Sequence, residues 1–196
     1  MNAEPNTSIT SRWRQQWVLI PQLNRRWLIV NALGVTAVIN VVINFAIAWV
    51  GTRGVHAVDL WAAPLGRPST IADTLATTFT LPLITALTCT RAVERELRTG
   101  NIPYLPHNSQ ISELLERLPR PLLPRALRFA SLTILIVGPA ALATLLVTRF
   151  GGVSVPTFLA FKVTYAVALG VVVTPLIALA AMSCDDDSNV ASAQAV

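Results

Sequence analysis

The sequence predicts an all-α polytopic membrane protein with four transmembrane helices, and three observations carry that expectation. Of 196 residues, 53% are hydrophobic and only 13% are charged, with a mean hydropathy of +0.57, whereas a soluble domain of this size carries about a quarter charged residues. Four runs stay apolar for about 20 residues or more, the length a helix needs to cross about 30 Å of hydrocarbon at about 1.5 Å per residue. The runs are continuous rather than alternating, which favours helices over a barrel, since lipid tolerates no open strand edge. The same composition excludes disorder, collagen and a disulfide scaffold: the 9 glycines have no period, and the 2 cysteines, Cys89 and Cys184, form no CxxC.

Taken in order, residues 1–26 form a cytoplasmic N-terminal segment holding Arg12, Arg14, Arg25 and Arg26. Within 12–23, Trp13, Trp17 and Ile20 recur at helical spacing beside arginines and glutamines, which predicts an amphipathic helix lying in the membrane interface. No small-residue cleavage site follows, so the first apolar run is expected to be a retained span rather than a signal peptide. The transmembrane domain is expected over 27–182, with spans at about 27–50, 71–90, 129–148 and 155–182 and a cytoplasmic loop at 91–128. Inside that loop, Ile111, Leu114, Leu115 and Leu118 share one face and Glu113, Glu116 and Arg117 the other, ahead of Pro119. This second amphipathic segment either lies on the membrane or docks a partner. The tail 183–196, with Asp185, Asp186 and Asp187, is expected to be disordered.

Arginine distribution sets the direction. Fourteen of the 15 basic residues are arginine; eleven fall in the N-terminal segment and the 91–128 loop, against Arg53, Arg67 and Arg149 in the other two connections. The positive-inside rule then puts both termini and the long loop in the cytoplasm. Trp27, Trp49 and Trp61 fall at predicted interfaces and, with Trp13 and Trp17, are read as membrane-interface anchors. Since the basic residues follow topology, with no run of five and no interleaved aromatics, nucleic acid is not an expected partner.

Landmarks recur in the two halves: Pro21 then Arg25 before span one and Pro124 then Arg128 before span three, with Pro82-Leu83-Ile84 in span two and Pro175-Leu176-Ile177 in span four. They suggest a tandem repeat of two helical hairpins related by an axis along the membrane normal.

Polar residues inside the spans are the main functional clue. Thr36, Asn40 and Asn44 form an i, i+4, i+8 series in span one; span two carries Asp73, Thr77, Thr80 and Thr88 near one face, with Thr74, Thr78 and Thr85 beside it. Span four holds the only lysine, Lys162, continued by a helix-packing stripe of Ala166, Gly170, Thr174 and Ala178. Small residues allow close approach and amides or hydroxyls bond between helices, so these faces are expected to point inward. Counted from the span ends, Asn44, Asp73 and Lys162 lie roughly 6 to 9 Å below the outer interface and can meet. Asn40, Asn44, Asp73, Thr77 and Lys162 therefore form a candidate intramembrane polar cluster, because a charge in a membrane is costly and pairs or marks function. A second reading stays open, in which Asp73 caps its helix and Lys162 reaches back to water.

The sequence offers little chemistry beyond that cluster. His56 and His107 fall on opposite sides of the membrane, which rules out a two-histidine metal site or a histidine-based triad within one chain. No P-loop, GxGxxG, HExxH or GxSxG is present, so no catalytic residue, metal or cofactor is expected. In size and topology the chain resembles small four-span proteins of the bacterial inner membrane, which implies that location. The expected role is a non-enzymatic accessory or scaffold subunit whose partners are the bilayer and other membrane subunits or a second copy of itself. The alternative is a small dimeric transporter with Asn44, Asp73 and Lys162 lining an outward-facing site; an intramembrane enzyme has the least support. A carrier needs its polar groups around a hydrated cavity and a subunit needs them at helix contacts, so solvent access to Lys162 separates the two.

Overall fold

The computed structural model describes residues 22–62, 68–103, 121–149 and 151–183, of which 81% are helical. Among the described residues, four helices are long and apolar enough to cross a membrane. The first, Gln22–Gly51, is built of α1 (Gln22–Trp27), a π-wound segment (Leu28–Val35) and α2 (Thr36–Gly51); α3 (Thr70–Arg98), α4 (Leu122–Val147) and α5 (Val155–Met182) follow. Two short strands, β1 (Ala57–Val58) and β2 (Val153–Ser154), lie in the connections after α2 and α4. Trp13, Trp17, nearly all of the first amphipathic segment, all of the second, and the acidic tail from Cys184 onward lie outside the described residues.

Helices run past the ends that apolarity alone suggests. α3 continues through Arg91 to Arg98 rather than stopping near 90, and α4 starts at Leu122 rather than near 129. Charge ends an apolar run without ending a helix. Glu94 and Arg98 stand four residues apart, Arg95 and Arg98 complement the C-terminal dipole, and Val93 and Leu97 still reach the core. The first turns of α4 likewise bury Ala126 and Arg125, the latter paired with Glu94 at 3.6 Å.

π winding in the first helix solves a geometric problem. In an unbroken α-helix, Asn24 and Asn40 would face about 160° apart at about 100° per residue. A π-helix turns less per residue, so eight residues of it take back roughly 150°. The burial pattern shows the wider step, from Asn24 and Leu28 through half-buried Leu33 to Asn40, Asn44 and Ala48. Both ends of this helix thus meet α5: Asn24 donates to Met182 Sδ at 3.6 Å, and the Asn40 amide lies against Gly170.

The helices pack as a row, with α4 on α3, α3 on α5, and α5 on the first helix. The two central helices have half or more of their apolar windows buried, 50% for α3 and 61% for α5, against 17% for each edge helix. Because α3 lies between α4 and α5, its buried face centres on Thr74, Thr78 and Thr85. Thr80 and Thr88, expected to point inward, are exposed and bond to the carbonyls of Ala76 and Ile84. Most of these threonines donate to a carbonyl four residues back, as Thr74 does to Thr70 at 2.7 Å, so hydroxyls pack between helices already satisfied.

At the loop end a small cap joins the two connections. β1 and β2 pair antiparallel with Ala57 opposite Ser154 and Val58 opposite Val153. Val58 is fully buried with Ala48, Phe158 and Leu159. The backbone amides of Thr70 and Ile71 donate to Asp59 and Leu60 at 3.0 and 3.2 Å, which ties the start of α3 to the same loop. Gly151 passes so near Leu60 that a Cβ there would stand 2.6 Å from the leucine Cβ, so a side chain is excluded.

Candidate functional site

Between that capping cluster and the main core, which gathers Leu28, Val93, Ala126, Ala166, Ile177 and Met182 toward the arginine-rich end, lies a layer of polar side chains. Ser69 is the N-cap of α3, accepting from the Ala72 amide at 3.4 Å. Asp73 therefore stands one turn inside, where the helix dipole favours a carboxylate, and it is not the cap. Facing it from the second turn of α5, Lys162 donates from Nζ to Asp73 Oδ1. The ammonium is turned into the protein, with a side chain only 4% exposed, while the carboxylate keeps 27% of its surface open.

The structure brings some of the candidate residues together and leaves others apart. Thr77 is buried one turn below Asp73. Asn44, at the same level and also buried, does not join the pair, because its amide donates to the Asn40 carbonyl on its own helix at 3.0 Å. Asn40 faces Gly170, and its Nδ2 is buried without a hydrogen-bond partner. All four stripe residues, Ala166, Gly170, Thr174 and Ala178, are buried, and the Thr174 hydroxyl is a second buried polar atom with no partner. Of the tryptophan anchors described, Trp49 and Trp61 are exposed near the loop end and Trp27 is half-buried against the main core.

Sequence reasoning missed three groups. Tyr165 hydrogen-bonds Thr78 across the α3–α5 contact at 2.6 Å and stacks with Phe161. Its place three residues after Lys162, on nearly the same helix face, was the available signal. Asn24, fully buried, donates to the Pro103 carbonyl at 2.9 Å and ties α1 to the segment after α3. Its role depends on π winding that no spacing rule anticipates. Arg125 buries itself beside Glu94, a pairing that neither residue's place in the sequence signals. Among the described residues, no group of three or more His, Cys, Asp and Glu side chains is arranged to hold a metal ion.

Comparison with protein families, curated proteins and solved structures finds no match to this chain. Four apolar helices able to cross a membrane, with a charge pair enclosed between the central two, are consistent with a helical, multi-pass membrane protein.

Proposed function

We propose that this chain is a membrane-spanning, non-enzymatic accessory or scaffold subunit of the bacterial inner membrane, with both termini in the cytoplasm. The observation that carries the reading is the enclosure of Lys162, 3% exposed and held by Asp73 at the contact of α3 with α5. Polar groups spent on helix contacts serve a subunit, whereas a carrier needs them around water. The edge helices offer partner helices or lipid broad apolar faces, including Val38, Val42 and Ile47 on α2 and Leu135, Ile136 and Val147 on α4. The 11 to 3 arginine asymmetry supports the orientation.

The row also supports a tandem repeat of two hairpins. Its order reads the same from either edge once the first helix is matched with α4 and α3 with α5. Thr52-Arg53 follows α2 and Thr148-Arg149 follows α4, each threonine bonding four residues back, at 2.8 and 2.7 Å, and each strand begins five residues further on. These turns carry the repeat better than the prolines do. Pro82 lies nine residues past Asp73 but Pro175 thirteen past Lys162, so the two stand at different heights.

Purification from native membranes in mild detergent tests the role. The expected outcome is a second membrane protein recovered in fixed ratio and lost when exposed residues of α2 or α4 are replaced. Substrate uptake by this chain alone in proteoliposomes, abolished by Asp73→Asn, would instead establish the dimeric transporter. That second reading draws its support from the buried, unpartnered polar groups of Asn40, at the seam of the first helix with α5, and of Thr174 on α5.

A further inference from the structure

At the arginine-rich end, two arginines, Arg125 buried and Arg25 half-buried, are treated differently. Arg125 has the Glu94 carboxylate 3.6 Å away. Arg25 also has a buried atom, Nε, but among the described residues it meets no hydrogen-bond acceptor, and no described acidic side chain pairs with it or with Arg26. A buried guanidinium donor without an acceptor is costly, and Arg is suited by geometry to phosphate. These arginines border an open cleft of about 440 Å³ lined, among the described residues, by Gln22, Arg25, Arg26, Ile29 and Val30.

The lining has an order. Gln22, Arg25 and Arg26 stand at the end of the helix, and Ile29 and Val30, both more than half exposed, continue the same ridge about 6 Å further in. Charge outside and apolar wall inside is the sequence of a phospholipid read from headgroup to chain. The ridge is held in place from behind, because the adjacent Asn24 is bonded to Pro103 and Met182.

We infer that this cleft binds one anionic phospholipid, its phosphate on Arg25 and Arg26 and the start of an acyl chain along Ile29 and Val30. The inference rests on the membrane-spanning reading proposed above. Two guanidinium groups at one site select against zwitterionic lipid, whose own cation they would repel, and the apolar wall selects against free phosphate.

The test is thermal unfolding of the purified full chain in neutral detergent, titrated with phosphatidylglycerol, phosphatidylcholine or inorganic phosphate. Phosphatidylglycerol is expected to raise the midpoint saturably, and the other two are not. Arg26→Gln should raise the half-saturating concentration about fivefold, and Arg25→Gln with Arg26→Gln about 25-fold. Should the double variant not fold, the exposed Arg26 carries the measurement alone, and Arg26→Lys should restore most of the affinity. Equal shifts with phosphatidylcholine or phosphate, or an unchanged half-saturation in Arg26→Gln, would overturn the site. Release of the wild-type chain from membranes by alkaline carbonate would overturn the membrane reading as well; retention without headgroup selectivity would overturn the lipid site alone.

Discussion

α3 and α4 lie side by side, yet they solve opposite problems. α4 is strongly apolar and keeps only 17% of its apolar window buried, while α3, the least apolar of the four long helices, is half buried. In water that distribution would be inside out. It teaches that hydropathy marks which segments tolerate hydrocarbon, whereas small and hydroxyl-bearing side chains mark where helices touch. α3 can be central because its threonines bond to their own backbone and leave slim, satisfied surfaces for α4 and α5.

The largest effects should therefore come from the central contact. Asp73→Asn leaves an enclosed ammonium without its anion and should cost about 3 kcal/mol. Lys162→Met leaves a carboxylate that still reaches solvent and should cost less, about 1 to 2 kcal/mol. The double variant should recover most of either loss in equilibrium unfolding from mixed micelles. Additive losses would break the contrast by showing that the two charges act independently.

Glycine substitution comes next. Gly170→Ala, on α5, places a Cβ 2.6 Å from the Asn40 amide and should cost about 1 to 2 kcal/mol as that amide is displaced. Gly138→Ala, on α4, meets only side-chain atoms at 3.4 Å or more and should change stability by less than about 0.5 kcal/mol. Adding Asn40→Ala to Gly170→Ala should return part of the loss. Equal costs at the two glycines would mean that the two outer seams, α5 with the first helix and α3 with α4, are packed alike.

A smaller effect is expected at the tyrosine. Tyr165→Phe removes one interhelical hydrogen bond and should cost about 0.6 kcal/mol, with an upper bound near 1.7. Thr80→Val, on the exposed face of α3, should be close to neutral. Smallest of all, Leu135→Ala on the face of α4, which is 70% exposed, should lie within about 0.5 kcal/mol in the isolated chain. A much larger loss for Leu135→Ala in native membranes than in micelles would sharpen the comparison by showing that a partner covers the edge.

Much of this layout is legible in the residues, and what is not has identifiable reasons. Long apolar runs located all four helices, and counting turns from the loop end brought Asp73 and Lys162 to one level, where the structure has them in contact. Helix ends were missed because apolarity stops at Arg91 and at Phe129 while backbone bonding does not. The outward turn of Thr80 and Thr88 was missed because a helical wheel gives relative directions but not which neighbours flank it. Cap strands of two residues carry no period, and a π-wound step looks like any other part of a largely apolar run.

The pairing of Asp73 with Lys162 joins residues 89 positions apart, and that separation is also a delay. A chain made at about 5 to 20 residues per second exposes the acid roughly 4 to 18 s before its base exists. On the membrane-spanning reading, the first hairpin must wait through that interval with an uncompensated charge. A carboxylate in the first turn of α3, at the positive end of the helix dipole and close to the loop end, can wait in reach of water. At the middle of the helix it could not, so the timetable of synthesis as well as the final contact favours an acid at this depth.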